Sequence, residues 1–435
     1  MRAINVGICG LGTVGSGVFK VIERNQATLA ARAGHAINIT HIGARRDNPA
    51  CESGAIKVSR DIFAVVSDPD VDIVVELIGG LQPAKELVLH AIANGKHVIT
   101  ANKALIAEHG NEIFAAAQEK GVQVAFEAAV AGGVPIIKVL REGLSANRIE
   151  WLAGIINGTG NFILTEMRDT GRAFSDVLEE AQALGYAEAD PRFDVEGIDA
   201  AHKLAILASI AFGIPLQFDK IYTEGIGDVA ARDVRYAEEL GYRIKHLGIA
   251  RRVAAGIELR VHPTLIPQER LIANVNGVMN AVLIEADAVG PTLYYGAGAG
   301  SEATASAVIA DIVDVARTID AGPEQRVPAL AFQQHALSDE PVLPVEEVRT
   351  AYYLRLSVVD EPGVLSGITK MFSDADISIE AVIQKEPKKG AATATIILLT
   401  DVVQEQHFQQ TLAALQNLPT ITEPVMKLRV ESLDG

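Results

Sequence analysis

The sequence predicts an α/β protein with a doubly wound parallel sheet first, an α+β region next and a small βαββαβ domain last. Three observations lead to this prediction. Apolar strand patterns alternate with helical patterns over residues 1–133, the alternation weakens after "AGGVPIIKVLREG", and residues 350–435 return to the order β, α, β, β, α, β. A chain of 435 residues has room for two or three such domains.

Composition narrows the class of function. Hydrophobic residues make up 49% of the chain and charged residues 21%, which is typical of a soluble globular protein. The net charge is −17 and Lys and Arg form no block, which argues against nucleic acid or an anionic membrane as a partner and favours a small-molecule substrate. No signal-peptide pattern opens the chain and no apolar stretch approaches ~18 residues, which predicts a cytoplasmic protein.

The two cysteines, Cys9 and Cys51, have neither a disulfide pattern nor a metal-ligand spacing. Cys9 lies in an apolar run, where a thiol fits as a small hydrophobic side chain. We expect both thiols to be reduced and structural.

A glycine-rich turn joins the first predicted strand to the first helix in "INVGICGLGTVGSGVFKVI". Gly10 permits a tight turn, Gly12 lets the backbone approach a pyrophosphate and Gly15 allows close helix packing. The N-terminus of the helix offers N–H groups to the phosphates. The alternative is a tight turn without a ligand, but the strand and helix on either side favour a Rossmann-type dinucleotide site. The predicted site comprises Gly10, Leu11, Gly12, Thr13, Val14 and Gly15.

The end of the second strand predicts which dinucleotide binds. After "INITHIG", Arg45 and Arg46 stand where an acidic residue would bond the ribose 2′-hydroxyl of NAD. Two guanidinium groups can bind a 2′-phosphate, so NADP is favoured over NAD. The alternative is a solvated loop beside Asp47.

The carboxyl ends of the later strands are also candidate sites, because ligands bind at those ends in parallel sheets. Glu76, Asn102 and Lys103 lie there, in "VDIVVELIGG" and "GKHVITANKAL". We expect Thr100 and Lys103 to belong to the cofactor site as well.

A polar segment, residues 157–160, follows a predicted strand within "WLAGIINGTGNFILTEM". Such a turn can bring backbone amides against a ligand, and it is equally compatible with a hairpin turn. Gly158 and Thr159 are therefore candidate substrate-binding residues, with a hairpin as the alternative.

The segment "GYAEADPRFDVEGIDAAHKLAIL" places several carboxylates before an apolar helix. Asp199 and Lys203 lie four residues apart and so share one helical face. A surface ion pair, contributing ~0.3–0.5 kcal/mol, is the alternative, but the helix is apolar almost all round after Lys203, which predicts burial. A buried ammonium held by a carboxylate can donate a proton to an oxygen that becomes negative during hydride transfer. Glu188 and Asp190 could then bind a substrate ammonium group.

Seven sequence blocks occur together and in one order. They are "GLGTVG", "VVELIGG", "ITANKALIA", "EAAVAGGVPII", "GIINGTGNFIL", "GYAEADPRFDVEGIDAAHKLAIL" and "GAGAGSEATASAVIADI". In this combination the sequence resembles the homoserine dehydrogenase family over residues 4–318. The resemblance implies reversible reduction of L-aspartate 4-semialdehyde to L-homoserine with NADPH or NADH, on the route to threonine, methionine and isoleucine. No kinase-like segment precedes residue 1, so the single-function type is expected.

The resemblance also implies roles for individual residues. Lys203 matches a proton-donating lysine and Asp199 its partner. Lys103 matches a second active-site lysine, close to both nicotinamide and substrate. Glu188 matches a residue that binds the substrate amino group, and we assign Asp194 to substrate binding too.

The family further places a sodium-type cation on the segment after the last Rossmann strand. The matching residues are Glu127, Val130, Gly132 and Val134, which contribute mostly carbonyl oxygens. Oxygen ligands of low charge suit a hard, weakly charged ion. From the residues alone, this segment is better interpreted as a hinge between domains.

A second glycine run, "GAGAGSEATASAVIADI" at residues 296–312, precedes a helix. It is not a phosphate loop of the P-loop type, because no Lys follows its last glycine. The family pattern implies instead that Gly300 and Glu302, with the cap-like Ser301 between them, face the nicotinamide end of the cofactor.

These assignments divide the chain into three domains and a linker. Residues 1–133, with about 300–320, form the NAD(P)-binding domain, and residues 134–299 the substrate-binding, catalytic and dimerisation domain. The Pro-rich, acidic residues 321–349 form the linker. Residues 350–435 predict a ferredoxin-like domain with a hairpin around "EPKKGA". Its opening, "VVDEPGVLSGITKMF", resembles an ACT domain, a regulatory module that binds small amino acids.

The candidate effector site lies at the start of the first ACT helix. Asp360, Gly363 and Val364 surround that N-terminus, whose amides can receive a carboxylate. The pathway suggests threonine as the effector, and a purely structural or dimerising module is the alternative. Because ACT modules usually pair and the strands after residue 245 offer sheet surface, we expect a homodimer or a homotetramer.

Two other functions compete with this interpretation. One is a dehydrogenase acting on another small amino acid, such as aspartate. The other is a non-catalytic sensor that binds NADP and reports threonine. The paired lysines favour catalysis over sensing.

Overall fold

The protein is represented by a computed structural model that describes residues 2–49, 51, 54, 56–385 and 392–434. The chain forms two compact units. The first comprises residues 1–158, 198–221 and 278–340, and the second comprises residues 159–197, 222–277 and 341–435. Each unit has its own hydrophobic core.

Strands and helices alternate along residues 2–158, as the sequence predicts. The strands are β1 (Ile4–Cys9), β2 (Ile37–Gly43), β3 (Lys57–Ser59), β4 (Ile73–Glu76), β5 (His97–Thr100), β6 (Val124–Ala125) and β7 (Ile149–Ile155). The helices are α1 (Thr13–Ala33), α2 (Phe63–Val66), α3 (Ala84–Ala93), α4 (Lys103–Lys120) and α5 (Ile136–Lys138).

Helices dominate the next part of the chain, and two long strands follow them. The elements are α6 (Gly158–Thr170), α7 (Phe174–Ala183), α8 (Arg192–Val195), α9 (Ile198–Phe212), β8 (Tyr222–Thr223), α10 (Ala231–Glu239), β9 (Tyr242–Val253) and β10 (Gly256–Pro267).

The last part contains a hairpin, a long helix and the C-terminal domain. The elements are β11 (Met279–Ala286), β12 (Thr292–Ala297), α11 (Ser301–Arg317), β13 (Arg349–Val359), α12 (Val364–Asp374), β14 (Ile379–Lys385), β15 (Thr393–Thr400), β16 (Val403–Gln404), α13 (Glu405–Gln416) and β17 (Met426–Val430). Between α11 and β13 the chain forms only short 3₁₀ turns, in the segment predicted as a linker.

The first unit contains a six-stranded parallel sheet in the order β3-β2-β1-β4-β5-β6. The chain builds the sheet outward in one direction from β1 to β3 and then in the other direction from β4 to β6. This strand order is that of a Rossmann fold, which confirms the predicted fold of this region. Strand β4 is buried along its whole length, as expected of a parallel sheet covered on both faces. Helices α1 and α11 supply much of the core against β1. Strands β7, β11 and β12 form an antiparallel group in the same unit.

The second unit contains the C-terminal domain. Strands β17, β13, β15 and β14 lie side by side in that order, with antiparallel neighbours and with α12 and α13 as the connecting helices. This is the βαββαβ arrangement of a ferredoxin-like domain, so the predicted fold is confirmed. Strand β17 also pairs in parallel with β10. The predicted "EPKKGA" turn, residues 386–391, lies outside the described residues.

The hairpin, which was the alternative interpretation of residues 157–160, does not form. Helix α6 begins at Gly158, and "NFILTEM" continues that helix rather than forming a strand. A short apolar run such as Phe162–Leu164 suits a strand or a buried helix equally, and residues 159–165 are in fact buried helix.

Cys9 and Cys51 are both free and buried, as predicted. Within the described ranges, no helix combines the length and the apolar character needed to cross a membrane.

Candidate active site

The centre of the candidate site is the carboxylate of Asp199, in the first turn of α9. Only 3% of Asp199 and 9% of Lys203 is exposed, so the pair is buried as the sequence predicts. Lys203 Nζ lies 2.6 Å from Asp199 Oδ2 and 2.7 Å from the carbonyl oxygen of Ile156. Lys103 Nζ lies 2.8 Å from Asp199 Oδ1. One carboxylate therefore forms ion pairs with two ammonium groups.

Asp199 remains ionised in this environment. Burial alone would raise the pKa of its carboxyl group, but Lys203 and Lys103 outweigh burial and hold that pKa well below its usual range. The Asn157 amide adds a third donor, 2.8 Å from Asp199 Oδ2. A carboxylate held this way cannot exchange protons near neutral pH, so the transferable protons of the cluster belong to the lysines.

A buried hydrogen-bond network holds the start of α4, where Lys103 is the first residue. Asn102 caps the helix, because its Oδ1 accepts from the N–H of Leu105 at 3.1 Å. The Thr100 hydroxyl accepts from the N–H of Asn102 and donates to Glu76 at 2.5 Å. The hydroxyl of Thr100 is thus used to position α4, and a cofactor contact by Thr100 would come from its backbone.

The glycine turn between β1 and α1 has the geometry expected of a pyrophosphate site. Gly10 has a φ of +105°, which favours glycine, and a Cβ at Gly15 would lie 2.0 Å from the Gly10 carbonyl oxygen. A Cβ at Gly12, in contrast, would meet no described atom within 4 Å. Nothing within the fold requires glycine there, which fits a position where the backbone meets a ligand. Among the described residues, no side chain caps α1, so its first N–H groups are left for an anion.

The arginines predicted to select the cofactor lie in the loop after β2. Arg45 and Arg46 are both exposed, and neither pairs with a carboxylate in the part of the chain that the structure describes. Asn48 ties this loop to the glycine turn by donating to the carbonyl of Leu11 at 3.0 Å. The loop therefore lies beside the turn that would hold the phosphates.

The N-terminus of α11 meets the same turn. Gly300 precedes the helix, and Ser301 Oγ donates to the carbonyl oxygen of Thr13 at 2.7 Å. Ser301 is therefore a contact to the glycine turn and does not cap its own helix. Glu302 forms an exposed ion pair with Arg24 at 2.8 Å. Gly300 and Glu302 are thus near the predicted cofactor turn, and their contact with nicotinamide stays a prediction.

The four residues predicted to hold a cation lie on one segment after β6. The carboxylate of Glu127 is buried and accepts from the N–H groups of Ile137 and Lys138. Burial, and then nearby Asp311, raises the pKa of Glu127 to about 7. No described N–H group bonds the carbonyls of Val130 or Gly132. Carbonyls that no described N–H group bonds, on the same segment as a buried carboxylate, would suit a monovalent cation. Val134 lies on the same segment, and its carbonyl accepts from Ile136.

The predicted substrate-binding residues fall in different places. Gly158 closes the first unit, and the other three belong to the second. Thr159 Oγ1 donates to the carbonyl of Tyr186 at 2.6 Å. Glu188 is exposed and Asp194 half-buried. Their role in substrate binding stays a prediction.

The predicted effector residues lie together in the second unit. Gly363 has a φ of +93° and precedes α12, Val364 is the first residue of that helix, and Asp360 lies in the turn before it. All three are wholly or partly exposed. Binding of a small anionic ligand at the start of α12 stays a prediction.

Sequence reasoning missed three parts of the site. The Asn157 amide and the Ile156 carbonyl both bond the Asp199–Lys203 pair. The sequence did carry a signal for Asn157, because it is a polar residue directly after an apolar strand. His202 was also missed. It lies between the two partners on α9 and bonds Glu108 of α4 at 3.0 Å.

A Rossmann sheet with an open glycine turn, together with two ammonium groups on one buried carboxylate, is typical of a nicotinamide-dependent oxidoreductase. Comparison with known protein families supports this class. Residues 10–127 match the model "Homoserine dehydrogenase, NAD binding domain", residues 135–313 match "Homoserine dehydrogenase" and residues 352–420 match "ACT domain". The chain belongs to the homoserine dehydrogenase family, whose members are oxidoreductases acting on a CH–OH group.

Individual relatives agree with this assignment. A homoserine dehydrogenase of Pseudomonas aeruginosa is 64% identical over 434 residues, covering 100% of both chains. The crystal structure of a homoserine dehydrogenase from Thiobacillus denitrificans is 62% identical, with a TM-score of 0.95 over 100% of this chain and 99% of that chain. A hyperthermophilic archaeal homoserine dehydrogenase in complex with NADPH is 28% identical, with a TM-score of 0.63 over 74% of this chain and 98% of that chain.

Proposed function

We propose that this enzyme catalyses the reversible reduction of L-aspartate 4-semialdehyde to L-homoserine, with Lys203 as the proton donor. The observation that carries the proposal is the buried Asp199 carboxylate, ionised between two ammonium groups. When bound, the nicotinamide cofactor supplies the hydride. Lys203 gives a proton to the aldehyde oxygen as that oxygen gains charge, and Lys103 orients and polarises the same oxygen.

The assignment of the proton to Lys203 follows from the contacts of the two lysines. Lys203 is fixed by Asp199 and by the Ile156 carbonyl, and only 11% of its side chain is exposed. The Lys103 side chain is 34% exposed. A donor held from two sides and shielded from water can deliver its proton to one position, whereas the more open lysine is better suited to attracting the substrate oxygen.

Replacement of Lys203 tests this mechanism. Lys203→Ala should lower kcat by about 10²- to 10⁴-fold, because general acid catalysis contributes that much, and should leave the Kd for NADPH nearly unchanged. Lys220→Ala, which removes an exposed lysine from the same unit, is the control and should keep full turnover. Normal turnover by Lys203→Ala would remove Lys203 from the mechanism. Binding of NADPH without any oxidation by the unmodified enzyme would favour the sensor hypothesis instead.

We propose that NADPH is the preferred cofactor. Support comes from the exposed Arg45 and Arg46 beside the glycine turn, and a relative binds NADPH. A hydrogen bond to a charged group contributes about 1.5–3 kcal/mol, so Arg45→Asp should raise the Kd for NADPH about tenfold or more. The Kd for NADH is the internal control. An equal loss of affinity for NADPH and NADH would show that Arg45 does not bind the 2′-phosphate.

We also propose that the Glu127–Val134 segment holds a monovalent cation such as Na⁺. The support is the buried carboxylate and the unbonded carbonyls of Val130 and Gly132. Turnover should therefore be higher in NaCl than in tetramethylammonium chloride at equal ionic strength. Glu127→Gln should reduce this difference, and equal turnover in both salts would contradict the cation site.

The substrate ammonium group is proposed to bind Glu188, with Asp194 and Thr159 assisting. Support comes from the exposed carboxylate of Glu188, which pairs with no cation among the described residues. Glu188→Gln should raise the KM for the semialdehyde more than it lowers kcat. Glu179→Gln on α7 is the matched exposed control. The same KM for both variants would exclude this role.

Regulation by an amino acid, with threonine as the proposed effector, would act through Asp360, Gly363 and Val364. Titration of homoserine oxidation with threonine, with serine as the control, tests the effector, and Asp360→Ala should weaken inhibition.

A homodimer or homotetramer stays a prediction that light scattering tests. A cytoplasmic location stays a prediction that cell fractionation tests.

A further inference from the structure

Two helices of the first unit each bring one lysine to Asp199. Lys203 lies on α9 with Asp199 itself, so helix geometry fixes that pair. Lys103 is the first residue of α4, and its distance of 2.8 Å from Asp199 Oδ1 depends on how α4 is placed against α9. The second ion pair therefore needs a contact that sets the placement of these helices.

His202 makes such a contact. His202 is buried, with 3% of the residue exposed, and its Nε2 lies 3.0 Å from Glu108 Oε1 on α4. Phe218 also holds the ring of His202. The two rings stack with their centroids 4.1 Å apart and an interplanar angle of 12°. An ionised carboxylate only accepts hydrogen bonds, so Nε2 carries the proton. The ring is thus held between α4 and the segment after α9.

The position of His202 on its helix relates this contact to the site. Residues at i, i+3 and i+4 share a face, so Asp199, His202 and Lys203 point to the same side of α9. Burial lowers the pKa of His202, while Glu108 opposes that change. A neutral ring therefore donates to Glu108 at neutral pH without adding a third cation beside Asp199.

A second contact holds α4 against the segment after α9 without His202. The Asn111 side chain of α4 donates to the Leu216 carbonyl at 3.0 Å and accepts from the Leu216 N–H at 3.1 Å. The absence of a side chain at Gly110 lets Leu216 approach, because a Cβ there would lie 2.5 Å from Leu216 Cδ1. Loss of the His202 bond should therefore shift α4 slightly and leave the fold intact.

We propose that His202 is a positioning residue whose hydrogen bond to Glu108 sets α4 so that the Lys103 ammonium lies on Asp199. The inference rests on the proposed function, since it assigns Lys103 a part in turnover. His202 acts through Lys103. Loss of the His202 side chain weakens the polarisation of the substrate oxygen by Lys103 and leaves the Lys203–Asp199 pair in place.

The first test compares two replacements of His202. His202→Leu removes the bond to Glu108 and should lower kcat about tenfold, the factor that corresponds to roughly 1.4 kcal/mol, with little change in the KM for NADPH or in the melting temperature. His202→Gln can still donate to Glu108 and should recover most of kcat. Glu108→Ala, at a partly exposed position that tolerates truncation, should reproduce the loss if His202→Leu fails to fold. Equal kcat for the Leu and Gln variants would overturn the proposal.

A double-mutant cycle with Lys103→Ala identifies the residue through which His202 acts. Single-turnover NADPH oxidation should fall about tenfold on His202→Leu in the unmodified enzyme and less than about twofold in the Lys103→Ala background. Equal losses in both backgrounds would show a general structural role and overturn the proposal. This outcome is separate from failure of the proposed function, which would appear as normal turnover by Lys203→Ala.

Discussion

Two buried charged clusters of this molecule, one in each unit, differ in the type of cation that they hold. In the first unit, the carboxylate of Asp199 pairs with Lys103 and Lys203. In the second unit, Arg429 donates to both carboxylate oxygens of Glu405 at 3.0 Å and to Glu224 at 2.9 Å. Arg429 therefore has two carboxylate partners.

Arg260 shows the same arrangement. It is fully buried and bonds Glu431 at 2.6 Å and Glu258 at 3.2 Å. Burial alone would lower the pKa of its guanidinium, but the two carboxylates outweigh burial and raise it further above an already high value. A guanidinium in such surroundings never releases its proton.

The comparison teaches how to tell a structural ionic cluster from a catalytic one. The buried cations of the arginine cluster are guanidinium groups that do not titrate, so the cluster fixes the fold. The lysine cluster holds amines, and an amine can release a proton. The type of cation, rather than burial itself, separates the two functions.

The largest expected effect is on the lysine cluster. Asp199→Asn keeps the size of the side chain but removes the charge that balances two ammonium groups, so kcat should fall by about 10²- to 10⁴-fold. Stopped-flow NADPH oxidation measures the change. Asp219→Asn, at an exposed position of the same unit, is the control. A loss below about threefold would show that the carboxylate does not organise the site.

The next largest effect is on stability and concerns the arginine cluster. Arg429→Met leaves Glu405 buried without its cation, which should lower the free energy of unfolding by about 3–5 kcal/mol. Guanidinium denaturation measures the loss, and kcat of the folded enzyme should be retained. Arg429→Met combined with Glu405→Gln should recover part of the stability. If the single variant were as stable as the parent, the cluster would not fix the fold.

A smaller effect concerns pH. His246 is buried and donates through Nε2 to the carbonyl of Glu224 at 3.0 Å. Burial lowers its pKa from 6.5 to about 4, although Glu224 opposes the change. Between pH 6.5 and 4 the unfolded chain binds a proton at this histidine and the folded chain does not, so stability falls as pH falls, by roughly 3 kcal/mol at full shift. His246→Asn should flatten this part of the pH–stability curve, and an unchanged slope would contradict the assignment.

The smallest expected effect concerns an exposed ion pair. Arg24 and Glu302 lie 2.8 Å apart, but more than half of each side chain is exposed. Water and salt screen such a pair. Arg24→Ala should therefore leave the melting temperature unchanged within the error of calorimetry. A clear drop in the melting temperature would show that this exposed pair stabilises the fold.

Much of the candidate site could be predicted because it depends on local spacing. Asp199 and Lys203 are one helical turn apart, so any helix through them brings them together. Gly10, Gly12 and Gly15 lie on one strand–turn–helix unit, whose spacing alone predicts a phosphate-binding turn. The boundary at Gly158 was not predictable in this way, because a short apolar run fits a strand and a buried helix equally.

The sequence by itself therefore determined the fold class, the glycine turn and the Asp199–Lys203 pair. Only the tertiary structure decided that Lys103 and Asn157 converge on the same carboxylate, and that His202 bonds Glu108. The physical reason is the range of the contacts. Helical periodicity fixes the distance between residues one turn apart, whereas residues far apart in the chain meet only when packing places their helices and strands side by side.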